Sequence, residues 1–104
     1  MRAVGWTAPA QRANRAIVNY LGREVDEQVA RLVHERILAA ANKLGEVSTG
    51  RPGRTFGTYE KSVARTGYII VYTTRKWADR EFIFILSVVH TRRHWRRGQP
   101  PPTP

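Results

Sequence analysis

The 104-residue chain predicts an α+β domain, an N-terminal strand and a helical hairpin packed on a small antiparallel sheet. Two long stretches between residues 10 and 44 carry apolar residues at helical spacing. A Gly- and Pro-rich break, STGRPGRTFG at 48–57, then ends that pattern. Beyond it come three runs rich in β-branched and aromatic residues, separated by short connections of hairpin length.

The elements follow in order. AVGW at 3–6 is short and apolar and reads as a strand. Thr7 or Ala8 opens a helix with Pro9 in its first turn, where a missing N–H costs little. Ala10, Ala13, Ile17 and Tyr20-Leu21 give that helix its face, and Gly22 is its expected end. Asp26 and Glu27 suit the positive end of a second helix dipole. Val25, Val29, Leu32-Val33, Ile37, Ala40-Ala41 and Leu44 then hold one stripe, with Gly45 as the expected C-cap. A tight connection at Gly22 makes the two helices an antiparallel hairpin. Pro52-Gly53 suits a turn inside the break. TYEKSV (58–63), YIIVYTT (68–74) and EFIFILSVV (81–89) are the strands. The last is apolar on both faces and needs cover on both, from the helices on one side and from the C-terminal segment or a partner on the other. A single domain over 1–97 is expected, with RGQPPPTP leading into a flexible Pro-rich tail at 98–104.

Composition narrows the function. There is no cysteine, which removes disulfides and thiolate metal sites and fits a reducing, cytoplasmic setting. No apolar run reaches membrane-helix length, and MRAVGWTAPA has no signal-peptide apolar region. The net charge is +10, most of it in the second half, and most of the 18 basic residues are arginine. Such a field favours phosphates or an acidic protein.

The densest cluster is VVHTRRHWRR at 88–97. His90 and His94 stand four apart, a spacing a metal could use on a helix. No third ligand accompanies them and arginines surround them, so neither a metal nor any other cofactor is expected. A histidine flanked by arginines also suits ribonuclease chemistry, with His90 or His94 moving a proton while Arg92 and Arg93 stabilise a phosphorane. Against this stands the plainer reading that His90 bonds locally at a strand end and Trp95 packs as an anchor. Arg51, Arg54, Arg65, Arg75, Lys76, Arg92, Arg93, Arg96 and Arg97, with Tyr59, Trp77 and Trp95 as stacking platforms, give a general nucleic-acid reading. GRPGR lacks the end of a P-loop.

The order of elements, together with GRPGRTFGTYE at 50–60, GYIIVYTT at 67–74 and FILSVVHTRRHW at 84–95, resembles the RelE/ParE family of bacterial toxins, closest to the ParE branch. The resemblance implies a small type II toxin–antitoxin toxin that a co-expressed, ParD-like acidic or amphipathic antitoxin covers. It implies further that ParE-type members bind DNA gyrase without catalysis, whereas RelE-type members cleave mRNA on the ribosome. Where RelE-type members carry basic side chains, this chain has Glu60, Ser62 and Ile69, which favours the gyrase branch. A basic module that kept the fold and lost the activity is the third alternative. On this reading Arg51, Arg54, Arg92, Arg93, His94 and Trp95 contact the target, and Ile69, Val71, Arg75, Phe82 and Phe84 contact the antitoxin. Glu60 is expected to pair with Arg93.

Overall fold

The computed structural model describes residues 2–102; the end of the expected tail, Thr103 and Pro104, lies outside the described residues. The elements run β1 (Ala3–Trp6), α1 (Ala8–Glu24), α2 (Glu27–Glu46), β2 (Arg51–Pro52), β3 (Tyr59–Val63), β4 (Tyr68–Trp77) and β5 (Arg80–His90). Together they form the expected α+β architecture, with both helices on one face of a five-stranded sheet of order β1-β5-β4-β3-β2.

The helix starts obey local chemistry. The Ala10 N–H donates to Thr7 Oγ1 (3.3 Å), and the same hydroxyl donates to the Ile85 carbonyl (2.9 Å), so the first cap is also tied to β5. Asp26 caps α2 through the Gln28 N–H (2.7 Å).

The ends differ from expectation. Gly22 and Gly45 both lie inside helices, and the chain reverses at Val25-Asp26 instead. At Gly45 the cause is packing: a Cβ there would stand 2.6 Å from the Arg2 carbonyl, where the N-terminal strand crosses the helix. The Arg2 N–H donates to the Gly45 carbonyl at 2.8 Å, which holds that approach.

Three further differences concern the sheet. β1 does not lie apart from it but joins it, parallel to β5, with Ala3 opposite Phe82 and Trp6 opposite Ile85. A central apolar strand needs neighbours along both edges, and β1 supplies the second one. Arg51–Pro52, expected as part of a loop, is a short antiparallel edge strand opposite Tyr59 and Glu60. Its proline blunts that edge. Finally, the segment expected to link β4 and β5 is mostly ladder. Only Ala78 and Asp79 turn, at φ 51° and 61°, leaving Trp77 paired with Arg80. Two consecutive positive φ values make the primed turn that matches strand twist.

The core lies between helices and sheet. Val33, Ile37, Ala41 and Leu44 of α2 and Ala10 of α1 meet Tyr68, Ile70 and Tyr72 of β4 and Ile83, Ile85 and Val88 of β5. Four of these isoleucines are fully buried, each contributing about 2 kcal/mol by area. A register shift between Val71 and Tyr72 places Leu86 in a bulge of β5. Beyond it Ser87 and Val89 face away from the helices.

Candidate functional site

The face of the sheet turned away from the helices carries many of the residues expected to act, while His90 lies on the helix side beside Tyr68 and Arg92 to Trp95 follow the last strand. By alternation Glu60 and Ser62 of β3, Ile69, Val71, Thr73, Arg75 and Trp77 of β4, and Arg80, Phe82, Phe84, Ser87 and Val89 of β5 share it. This face divides into a covered half and an open half.

The covered half is closed by the chain itself. After β5 the backbone turns, with the Arg93 N–H donating to the His90 carbonyl (2.9 Å), and Trp95 folds back onto Val71 and Val89. The indole Nε1–H donates to the Gln99 carbonyl at 3.0 Å. The Gly98 N–H donates to the Arg54 carbonyl at 2.8 Å, and Thr55 Oγ1 donates to the Gln99 carbonyl. The Arg54 guanidinium lies over the Trp95 ring, 4.6 Å from its centroid. The first residues of the expected tail are therefore tied to the Gly/Pro/Arg loop, and Pro102 lies against α1 at a cavity of about 220 Å³.

Glu60 sits beneath this clasp, only 4 % exposed. Its Oε2 accepts from the Arg54 N–H at 2.8 Å, and its Oε1 stands 4.0 Å from Arg54 Nε. Arg54 is thus a partner of Glu60 that the sequence did not suggest beside the expected Arg93. Arg51 faces Glu60 across the β2–β3 ladder. A buried carboxylate satisfied by one backbone N–H and approached by the guanidinium of Arg54 organises the loop as an N-cap organises a helix.

The basic cluster separates into two kinds of residue. His90 Nδ1 accepts from the Arg92 N–H (3.1 Å), and the ring meets Tyr68 edge-on at 5.1 Å. Its Nε2 points at Gly67, where an added Cβ would stand 3.1 Å away. His90 is thus packed as a strand terminator. Arg92, Arg93 and His94, by contrast, are exposed at the rim beside the clasp, and Arg51 is exposed nearby. Among the described residues no group of three His, Cys, Asp or Glu is placed to hold a metal ion.

The residues expected to meet an antitoxin are also of two kinds. Ile69 and Val71 lie buried in the covered half, while Phe82 and Phe84 are half-buried and Arg75 is exposed in the open half. The sequence offered the C-terminal segment as cover and Trp95 as an anchor, but not how they are fastened, because the partners are backbone carbonyls of Arg54 and Gln99 that no side-chain pattern announces. The Arg54–Glu60 pairing left a faint signal, an acidic residue six positions after an arginine, just past a break whose charged residues are all basic.

With this geometry in place, comparison with known proteins settles the family. The model of the ParE toxin of the type II toxin–antitoxin system parDE matches residues 4–95. The chain belongs to the ParE toxin family. It is 33% identical over 95 residues to a Sinorhizobium fredii protein named "Putative toxin Y4kP", an alignment covering 90% of this chain and 93% of that one. A chain of the solved structure titled "Chromosomal ParDE TA system from P. aeruginosa" superposes with a TM-score of 0.76 at 19% identity, covering 86% of this chain and 96% of the other. That likeness is one of fold. Within this ParE-type chain no helix is long and apolar enough to cross a membrane, among the described residues.

Proposed function

We propose that this ParE-type toxin acts by binding DNA gyrase and blocking topoisomerisation, and that a co-expressed antitoxin neutralises it. The observation that carries this reading is Glu60. A phosphate-cleaving face needs cations where the scissile phosphate lies, and here a buried carboxylate occupies the middle of the face and draws Arg54 to itself. His90, the histidine nearest the sheet, has its Nδ1 engaged by a backbone N–H. What the exposed rim presents is Arg92, Arg93 and His94 with Arg51, which suits a binding surface better than an acid/base pair. An acidic antitoxin segment would neutralise the same rim and reach the open sheet face at Arg75, Phe82 and Phe84.

A supercoiling assay with purified gyrase tests the reading. The parent protein is expected to inhibit, and Arg92→Ala combined with His94→Ala is expected to weaken inhibition at least tenfold while leaving the unfolding midpoint unchanged. Untouched supercoiling together with mRNA cleavage in a translating extract would replace it by the RelE-type ribonuclease reading, for which exposed His94 beside Arg92 and Arg93 is the available acid/base group. Inactivity in both assays with antitoxin binding retained would mark a binding module without toxic activity.

A further inference from the structure

The open half of the outer face has a composition the covered half lacks. Thr73, Arg75 and Trp77 on β4 lie opposite Phe84, Phe82 and Arg80 on β5, all on the side away from the helices. Guanidinium groups therefore face aromatic rings across the ladder, Arg75 opposite Phe82 and Trp77 opposite Arg80. Phe82 and Phe84 stack on one another, centroids 6.2 Å apart, with Gly5 of β1 leaving the Phe84 ring uncrowded from that side. Trp77 is 77% exposed at the end of the hairpin. At the other end Thr73 Oγ1 donates to the Gly57 carbonyl (2.7 Å), which fastens the loop carrying fully exposed Phe56 to the same face.

The local charge is positive. Arg75, Lys76 and Arg80 are exposed, whereas Glu81 faces the helix side and is held by Arg2 at 2.9 Å. Asp79, in the turn, is the remaining acid of the hairpin tip. The other two aromatic platforms suggested by the sequence are spoken for: Trp95 is under the clasp and Tyr59 stacks on buried Tyr72 at 5.5 Å.

We propose that this strip, Arg75, Trp77, Arg80, Phe82 and Phe84, binds single-stranded nucleic acid. Same-face side chains recur about 6.7 Å apart along a strand, so an extended polynucleotide can lay successive bases on Trp77 and the Phe pair while the arginines meet its phosphates. Any base has a π-face, so the contact is tolerant of sequence. A duplex hides those faces in its stack and offers the strip phosphates alone. The neutralising antitoxin of the preceding reading would cover part of the same surface, making the two occupants mutually exclusive. Binding of an oligonucleotide, however, does not depend on gyrase being the target.

The test is fluorescence anisotropy of a labelled 12-nucleotide oligothymidylate, and of a duplex of equal length, with the full chain at 50 and 200 mM salt. The single strand is expected to bind the more tightly and to quench tryptophan emission. Trp77→Ala is expected to weaken binding roughly tenfold and Trp77→Phe much less, because stacking survives in a phenyl ring. Arg75→Ala with Arg80→Ala should lower the slope of log affinity against log salt by about 1.4. Arg12→Ala with Arg15→Ala, equally exposed cations on the helical side, serve as the control for charge alone. Equal affinity for duplex, absence of binding at 50 mM salt, or equal losses in the strip and control variants would each overturn the proposal.

Discussion

The guanidinium of Arg54 lies over the indole of Trp95, 4.6 Å from its centroid, while the backbone N–H of the same arginine donates to Glu60 at 2.8 Å. One residue of the Gly/Pro/Arg loop thus joins a buried carboxylate on β3 to the aromatic plug of the C-terminal segment. The consequence is that the outer sheet face, which apolar β5 leaves needing cover, is half closed before any partner arrives. Val71 and Val89 are buried by Trp95, not by a second protein.

Removing that plug should cost stability. Trp95→Ala opens a cavity over Val71 and Val89, and truncation of a buried tryptophan typically costs about 3–5 kcal/mol. Because Trp95 lies at the protein's edge and the C-terminal segment can relax, the lower end is expected. Urea denaturation is the measurement, and Trp95→Phe should recover most of the loss. A Trp95→Ala protein as stable as the parent would mean that the segment merely rests on the sheet.

Glu60 gives a second prediction. Glu60→Ala strands the Arg54 N–H and a half-buried guanidinium, at a cost of about 1–3 kcal/mol. Screening by solvent on the Arg54 side, which is 31% exposed, keeps the ionic share small. A double-mutant cycle apportions the effect. Coupling of Glu60→Ala with Arg54→Ala should be about 0.5 kcal/mol or more. Strict additivity of the two would show that the loop is held without the Arg54–Glu60 contact.

How much of this was legible beforehand follows from what each feature depends on. The helices and the three long strands rest on periodicity within a single segment, and Ile37, Ile70 and Ile83 announced the core by spacing alone. Gly45 misled because its use is close approach to the backbone at Arg2, and a linear pattern holds no information about what crosses a helix. The parallel edge strand β1 was legible as a strand but not as a neighbour of β5, since that pairing joins residues almost eighty positions apart. The candidate site residues were named as a set because arginines and aromatics concentrate in the second half. Their division into clasp, rim and open strip depends on a bulge at Leu86 and on a two-residue turn at Ala78-Asp79. Both set which face a side chain occupies, and a one-residue difference in either would reverse it.

The start of the Gly/Pro/Arg loop is fixed by one phenol. Tyr72 is fully buried, its hydroxyl accepts from the Gly50 N–H (2.9 Å) and shares a hydrogen bond with Ser48 Oγ (2.8 Å). A Cβ at Gly50 would stand 2.4 Å from the Tyr72 hydroxyl oxygen. Gly50→Ala is therefore expected to destabilise by about 2 kcal/mol through overpacking and a broken hydrogen bond. Tyr72→Phe removes the hydroxyl but leaves ring atoms Cε1 and Cζ at 2.6 and 2.8 Å from that Cβ, so the double variant should be more stable than the sum of the single losses only by the hydrogen bond that both variants lose. Strict additivity in chemical denaturation would show that the loop relaxes away from Tyr72 instead.

The remaining prediction concerns alkaline pH. Burial, with a smaller contribution from Tyr20, raises the Tyr68 phenol above its ordinary value of 10.0. Its ring packs edge-on against His90, at the wall of the cavity that α1 forms with the end of β5. In the unfolded chain the phenol ionises near its ordinary value, whereas in the folded protein the neutral form is held to higher pH. The unfolded state therefore releases its proton first. The stability linked to Tyr68 is fully present below pH 10 and declines as pH rises from there through the folded-state value. Thermal unfolding of the parent and of Tyr68→Phe between pH 8 and 11 isolates this contribution from other alkaline titrations. The two proteins should differ by a constant amount up to about pH 9.5, after which the parent's midpoint should fall more steeply than the variant's. Parallel curves across the whole range would show that the phenol ionises in place, and that the wall beneath His90 is open to water.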